Sequence, residues 1–147
     1  MKPITTTTTF FIILFFVFGF TANRTEIKKE DGIKFFSGTW QQVLDKAKKE
    51  NKCIFLDAYA SWCGPCKMMK NKTFKDKSVG AFYNNNFINV AVDMEKGEGP
   101  FLANKYRVEA YPTLIYLYPD GTLMGKAMGF RKSKEFIEIG ERAIKSK

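Results

Sequence analysis

The sequence predicts an α/β fold: a central mixed β-sheet flanked by helices on both faces. Three observations predict it. Short apolar runs of strand length at residues 53–59, 87–92 and 113–118 alternate with stretches of helical period. Pro119-Asp120-Gly121 then joins the third run to a fourth, at 122–128, as a hairpin turn. Finally, 147 residues make one domain plus a leader, so all of these elements belong to a single sheet and its helices.

Taken in order, Ile33-Lys34-Phe35-Phe36 reads as a short first strand. Thr39 opens a helix with Gln42 three residues on, the pattern of a capping box. Trp40, Val43, Leu44 and Ala47 follow at i, i+3, i+4 and i+7, one apolar stripe. The run at 53–59 is nearly continuous in apolar residues, as expected of a strand covered on both faces. A turn holding two cysteines comes next, and Met68 and Met69 continue as helix toward Phe74. A further helical piece covers 77–83, and 87–92 is a second central strand. Pro100 stands in the first turn of a short helix at 100–106. After the hairpin, Ser133 caps a last helix that carries Phe136, Ile139, Ala143 and Ile144. The order is β-α-β-α-β-α-β-β-α, with no internal repeat and no second domain.

The domain is assigned to residues 33–147. Residues 1–22 read as a signal peptide or N-terminal membrane anchor, because the apolar block at 10–20 is too short to span a bilayer by itself but suits a signal-peptide core. Residues 23–32 form a polar linker. The expected location is therefore export to the periplasm, with the apolar segment as an anchor to the inner membrane if it is not cleaved. The formal net charge is +9, yet the lysines are scattered over helices and loops, a solvated surface rather than a nucleic-acid site. No Gly-rich phosphate loop follows a strand, so no cofactor is expected.

The chemistry concentrates in Trp62-Cys63-Gly64-Pro65-Cys66-Lys67. Two cysteines at this spacing face each other across one helical turn and close a small disulfide ring. With Cys63 at the start of a helix, the unsatisfied N–H groups and the positive end of the dipole favour its thiolate, the species that attacks disulfides. The first reading is thiol–disulfide exchange. A zinc site wants four N/S ligands, and the chain has no histidine and one further cysteine, Cys53. Haem attachment needs a histidine where Lys67 stands. An inert structural disulfide stays open, although so short a loop restrains little of the unfolded chain. Cys53, at the start of an apolar run, reads as a small buried hydrophobe.

Asp57, the Trp62 to Lys67 stretch, Asp93, Tyr111-Pro112-Thr113, Gly121 and Gly129 together resemble the thioredoxin-fold oxidoreductases in order and spacing, over residues 33–145. The leader and the strand Phe55-Leu56-Asp57-Ala58-Tyr59-Ala60 further resemble exported members, among them the C-terminal domain of the periplasmic thiol:disulfide interchange protein. The resemblance implies a thioredoxin fold, a cis Tyr111–Pro112 bond lying against the cysteine turn, and protein-disulfide reduction. In this reading Cys63 is the exposed nucleophile and Cys66 the buried resolving thiol. A fall of the Cys63 pKa from about 8.5 to about 7 raises its thiolate fraction at pH 7 roughly 16-fold. Weaker basicity takes back roughly 5-fold, so the larger gain is in the stability of the reduced form.

Asp57, buried in its strand, is expected to titrate high and to exchange protons with Cys66. Family members often carry a lysine opposite this acid, where Ala91 stands here. Trp62, Gly64, Pro65, Tyr111, Pro112 and Gly129 are expected to form the substrate rim, where an extended chain pairs through its backbone. Asp93, Glu95 and Glu98 read as a plain acidic turn rather than a cation loop. The partners implied are disulfide-containing client proteins and a membrane-embedded thiol electron donor, served by a monomer. Two alternatives stay beside the reductase: an oxidase or isomerase on the same fold, and a non-catalytic peptide-binding or chaperone module.

Overall fold

A computed structural model describes residues 32–146. The capping box forms as the sequence suggests: the Gln42 amide donates to Thr39 Oγ1 at 3.3 Å and the Thr39 amide to Gln42 Oε1 at 2.8 Å, starting α1 (Trp40–Glu50). β1 (Cys53–Tyr59) follows, then α2 (Gly64–Asn71), a single 3-10 turn at Thr73–Lys75, and α3 (Lys77–Asn86). β2 (Phe87–Asp93), α4 (Gly99–Tyr106), β3 (Thr113–Leu117), β4 (Leu123–Met128) and α5 (Ser133–Lys145) complete the chain.

The four strands lie in the order β2-β1-β3-β4. β1 runs parallel to β2 and antiparallel to β3, and β4 closes the antiparallel hairpin on β3. The sheet is therefore mixed, with β1 central. Alternation along β1 splits the core in two, because successive side chains point to opposite faces. Ile54, Leu56 and Ala58 pack with Trp40, Val43, Leu102 and Tyr106 of α1 and α4. Cys53 and Phe55 pack on the other face with Met69, Val79, Tyr83 and Phe136 of α2, α3 and α5. By the same alternation, Asp57 projects toward the α2 face. Phe55 is the hub of that side, with the rings of Phe35, Phe74, Tyr83, Tyr116 and Phe136 all within 6.5 Å of it. Two buried hydroxyls sit among these rings and satisfy each other: Tyr83 and Tyr116 are 2.7 Å apart, and Tyr83 donates to the Phe136 carbonyl.

Two local expectations are corrected. Residues 33–36 form no strand. Only the Phe36 amide reaches β2, at the Asn89 carbonyl, while the Ile33 amide goes to Phe74 and the Lys34 amide to the Asn84 side chain. Partners divided among three elements cannot make a ladder. Ser133 does not cap α5 but is its first residue, after Lys132. Its hydroxyl is hydrogen-bonded to the Asp76 carboxylate that caps α3, and so is withdrawn from its own helix.

The leader at 1–22 and all of the 23–32 linker except Gly32 lie outside the described residues. The expected periplasmic location with a membrane anchor is corrected: among the described residues no helix is long and apolar enough to cross a membrane.

Candidate active site

Cys63 is the N-cap of α2, with extended backbone (φ −68°, ψ 113°) and Pro65 in the first turn. Its Sγ accepts the Cys66 amide at 3.1 Å, so the sulfur takes one of the donors that a helix start leaves unsatisfied. Cys63 and Cys66 form a disulfide, their Cα atoms 5.3 Å apart. Negative charge on Cys63 Sγ is favoured by this amide and by the helix dipole.

The expectation of an exposed Cys63 is corrected. Cys63 is 2% exposed and Cys66 5%, so both sulfurs are covered. Tyr59 and Tyr111 both pack against the cluster of Ala60, Cys63 and Cys66 and contribute to this cover. A smaller residue at 111 would leave that cover thinner. The Trp62 ring stands edge-on to Tyr111, centroids 5.9 Å apart, and is itself 67% exposed. The Tyr111–Pro112 peptide is cis. The Gly129 amide donates to the Pro112 carbonyl at 2.8 Å, with Gly129 at φ +88°, a conformation that a side chain would strain. Of the expected rim residues, Gly64 and Pro65 lie between the two cysteines, Trp62 meets Tyr111, and Gly129 meets Pro112, with Met128 exposed beside Gly129.

Beneath the disulfide lies Asp57, 5% exposed. It pairs in register with Ala91 on β2 and Leu114 on β3. Ala91 therefore occupies the facing position the sequence pointed to, and no ammonium stands there. Among the described residues Asp57 Oδ1 has no hydrogen-bond partner. Burial alone pushes this carboxyl from its ordinary 3.8 up to about 7. A cavity of about 630 Å³ opens beside it, lined by Asp57, Cys66, Tyr59, Phe35, Phe74 and the exposed Ala91, with Lys67, Lys70 and Lys75 at its margin. A proton can leave Asp57 for solvent by this route without crossing the packed core.

The acidic turn after β2 is more than a solvated loop. Asp93 bonds the Ser61 hydroxyl, takes the Glu95 amide at 3.1 Å and pairs with Lys96 at 3.3 Å. Glu98 accepts the Trp40 amide at 2.8 Å, at the start of α1. Glu95 takes the Trp62 indole N–H on both carboxylate oxygens, at 3.1 and 3.0 Å. Sequence reasoning missed the last two contacts. The signal for Glu95 was the parallel pairing of β1 and β2, which sends the loops leaving both strands to the same sheet edge. Among the described residues no cluster of three or more His, Cys, Asp or Glu could hold a metal ion.

A four-stranded mixed sheet bearing a Cys-x-x-Cys pair at a helix start, a buried acid below it and a cis proline beside it defines a thiol–disulfide oxidoreductase of the thioredoxin class. The chain belongs to the thioredoxin-like domain family, which it matches over residues 40–144.

Among its relatives, the chloroplastic thioredoxin Y1 of Arabidopsis thaliana is 33% identical over 133 residues, 86% of this chain and 66% of the relative. The match thus spans just under two thirds of that protein. Among solved structures, a candidate disulphide-isomerase from Bacteroides thetaiotaomicron is 37% identical, with a TM-score of 0.71 over 80% of this chain and 97% of that one. The oxidised C-terminal domain of Neisseria meningitidis DsbD is 29% identical, with a TM-score of 0.62 over 75% of this chain and 99% of that one. The resemblance to the thiol:disulfide interchange protein therefore extends to the fold.

Proposed function

We propose that the protein reduces disulfides in client proteins through a Cys63/Cys66 dithiol–disulfide cycle. The observation that carries this reading is the Cys63 sulfur at the start of α2, accepting a helix amide, with Cys66 one turn behind it and Asp57 below. In the reduced state the Cys63 thiolate attacks one sulfur of a client disulfide. A mixed disulfide forms and the client's other sulfur leaves as a thiolate. Cys66 then gives its proton to Asp57, attacks Cys63 Sγ and releases the second client thiolate. Two electrons pass to the client, which takes up two protons, and the Cys63–Cys66 disulfide remains. A dithiol donor returns the pair to the reduced state, a partner class supported by the likeness to the DsbD C-terminal domain. Gly64-Pro65 between the cysteines resembles the reducing members.

Isomerisation is the second reading. It is favoured by the 37% identity to the Bacteroides candidate disulphide-isomerase and by the bulk of Tyr111 beside Pro112. The reduction potential separates the two, measured by equilibrating the Cys63–Cys66 pair against glutathione or dithiothreitol buffers. A value at or below about −230 mV is expected for the reductase, whereas one above about −180 mV makes the protein an oxidant or isomerase. In the Cys66→Ser variant the mixed disulfide through Cys63 is expected to accumulate, and recovering none would remove these roles from the pair.

A further inference from the structure

The reactive sulfur is almost completely covered in a protein whose chemistry requires it to meet a folded client. Part of the cover is tied to the surface by a chain of contacts. Tyr111 packs against the cysteine cluster, the Trp62 ring stands edge-on to Tyr111 at 5.9 Å, and Glu95 holds the Trp62 indole N–H with both carboxylate oxygens. Glu95 is itself fixed through its backbone amide by Asp93, which also bonds the Ser61 hydroxyl next to Trp62. The exposed Trp62 ring has little packing to hold it, so a charge-assisted hydrogen bond decides where it stands. The turn after β2 therefore clamps the turn after β1 at two adjacent residues.

We propose that Glu95 is a positioning residue that latches Trp62 over Tyr111 and so governs which partners reach Cys63. This rests on the thiol–disulfide reading of the site and adds a gate to it. With the latch closed, a partner gains the sulfur only by displacing the aromatic pair, which favours clients that offer an extended chain and carry apolar side chains to replace the ring contact. With the latch broken, the pair moves aside and selection by size weakens.

The test compares two thiol reagents on the reduced protein, a small one (iodoacetamide) and a bulky one (a fluorophore-bearing maleimide), with modification of Cys63 followed by peptide mass spectrometry. Removing a negative charge near the thiolate changes its protonation and accelerates both reagents together, so the ratio of bulky to small rates isolates access. In Glu95→Ala the ratio is expected to rise about 10-fold, the low end of the worth of one hydrogen bond to a charged group, as suits an exposed one. In Glu95→Gln, which keeps an acceptor for the indole, it is expected to stay within about 2-fold of the parent on the same scale. Tyr111→Ala is expected to raise the ratio at least as far as Glu95→Ala. An unchanged ratio in Glu95→Ala, or equal acceleration of both reagents, overturns the latch. Failure of the functional reading looks different: the parent protein would not turn over a protein disulfide, whatever the ratio.

Discussion

From about pH 4 to about pH 7 the folded chain holds a proton on Asp57 that the unfolded chain has already released. The native state binds more protons in that window, so stability falls as pH rises through it and is level above. The sign is opposite to that of a salt-bridged carboxylate. The full effect is on the order of 4 kcal/mol, since three pKa units separate the two states. Asp57→Asn is therefore expected to stabilise the oxidised protein at pH 8 and to be nearly neutral at pH 4, measured as urea midpoints; equal effects at both pH values would contradict the burial argument. Ala91→Lys tests the same cause from the neighbouring strand. An ammonium in register with Asp57 should lower its pKa by about 1–3 units and flatten the stability slope. For catalysis, Asp57→Ala should remove the rate dependence near neutral pH while the fold persists. An unchanged pH–rate profile would take Asp57 out of proton transfer.

Beyond the strand ladders, helices are tied to other elements at their ends. α1 begins on a capping box of its own, but its first amide is satisfied by Glu98, from the turn that starts α4. A carboxylate at a helix N-terminus also meets the positive end of the dipole, so Glu98→Ala is expected to cost about 1 kcal/mol, read from urea midpoints. The site cysteines should keep their reduction potential in that variant, because Glu98 touches neither them nor Trp62. Elements defined by local rules were legible in the sequence. The capping box, the proline-led start of α4 and the hairpin turn each follow from residues within a few positions of one another. Where several distant partners compete, local pattern fails. Residues 33–36 have strand composition but divide their amides among β2, the turn at Phe74 and Asn84. Ser133 has cap chemistry but spends its hydroxyl on Asp76.

The whole molecule is organised by β1, which runs through the middle of the sheet with both faces covered. Its near-continuous apolar run made that legible, and Asp57 stood out as the one acid within it. The cysteine pair and the cis proline neighbourhood were legible too, because short motifs carry them. The burial of Cys63 and the hold of Glu95 on Trp62 were not, since both depend on loops that meet only after the strands have paired. Phe55 touches five other rings on the α2 side, so Phe55→Ala is expected to cost about 3–5 kcal/mol, as for large aromatic truncations in cores. Both sheet faces should lose stability together, with one transition in near-UV and far-UV circular dichroism.

Cys53, 3% exposed and outside the disulfide, begins this same strand, at the end of β1 away from the redox pair. In the oxidised protein its sulfur meets solvent only when β1 separates from its neighbours. The rate at which a reagent captures it is then the opening constant of the sheet multiplied by the intrinsic thiol rate, a clock for rare excursions that needs no denaturant. In Phe55→Ala that clock should run about 100-fold faster if about 3 kcal/mol is lost globally. An unchanged rate would mean that β1 opens at this end by fraying, independently of the core that Phe55 holds.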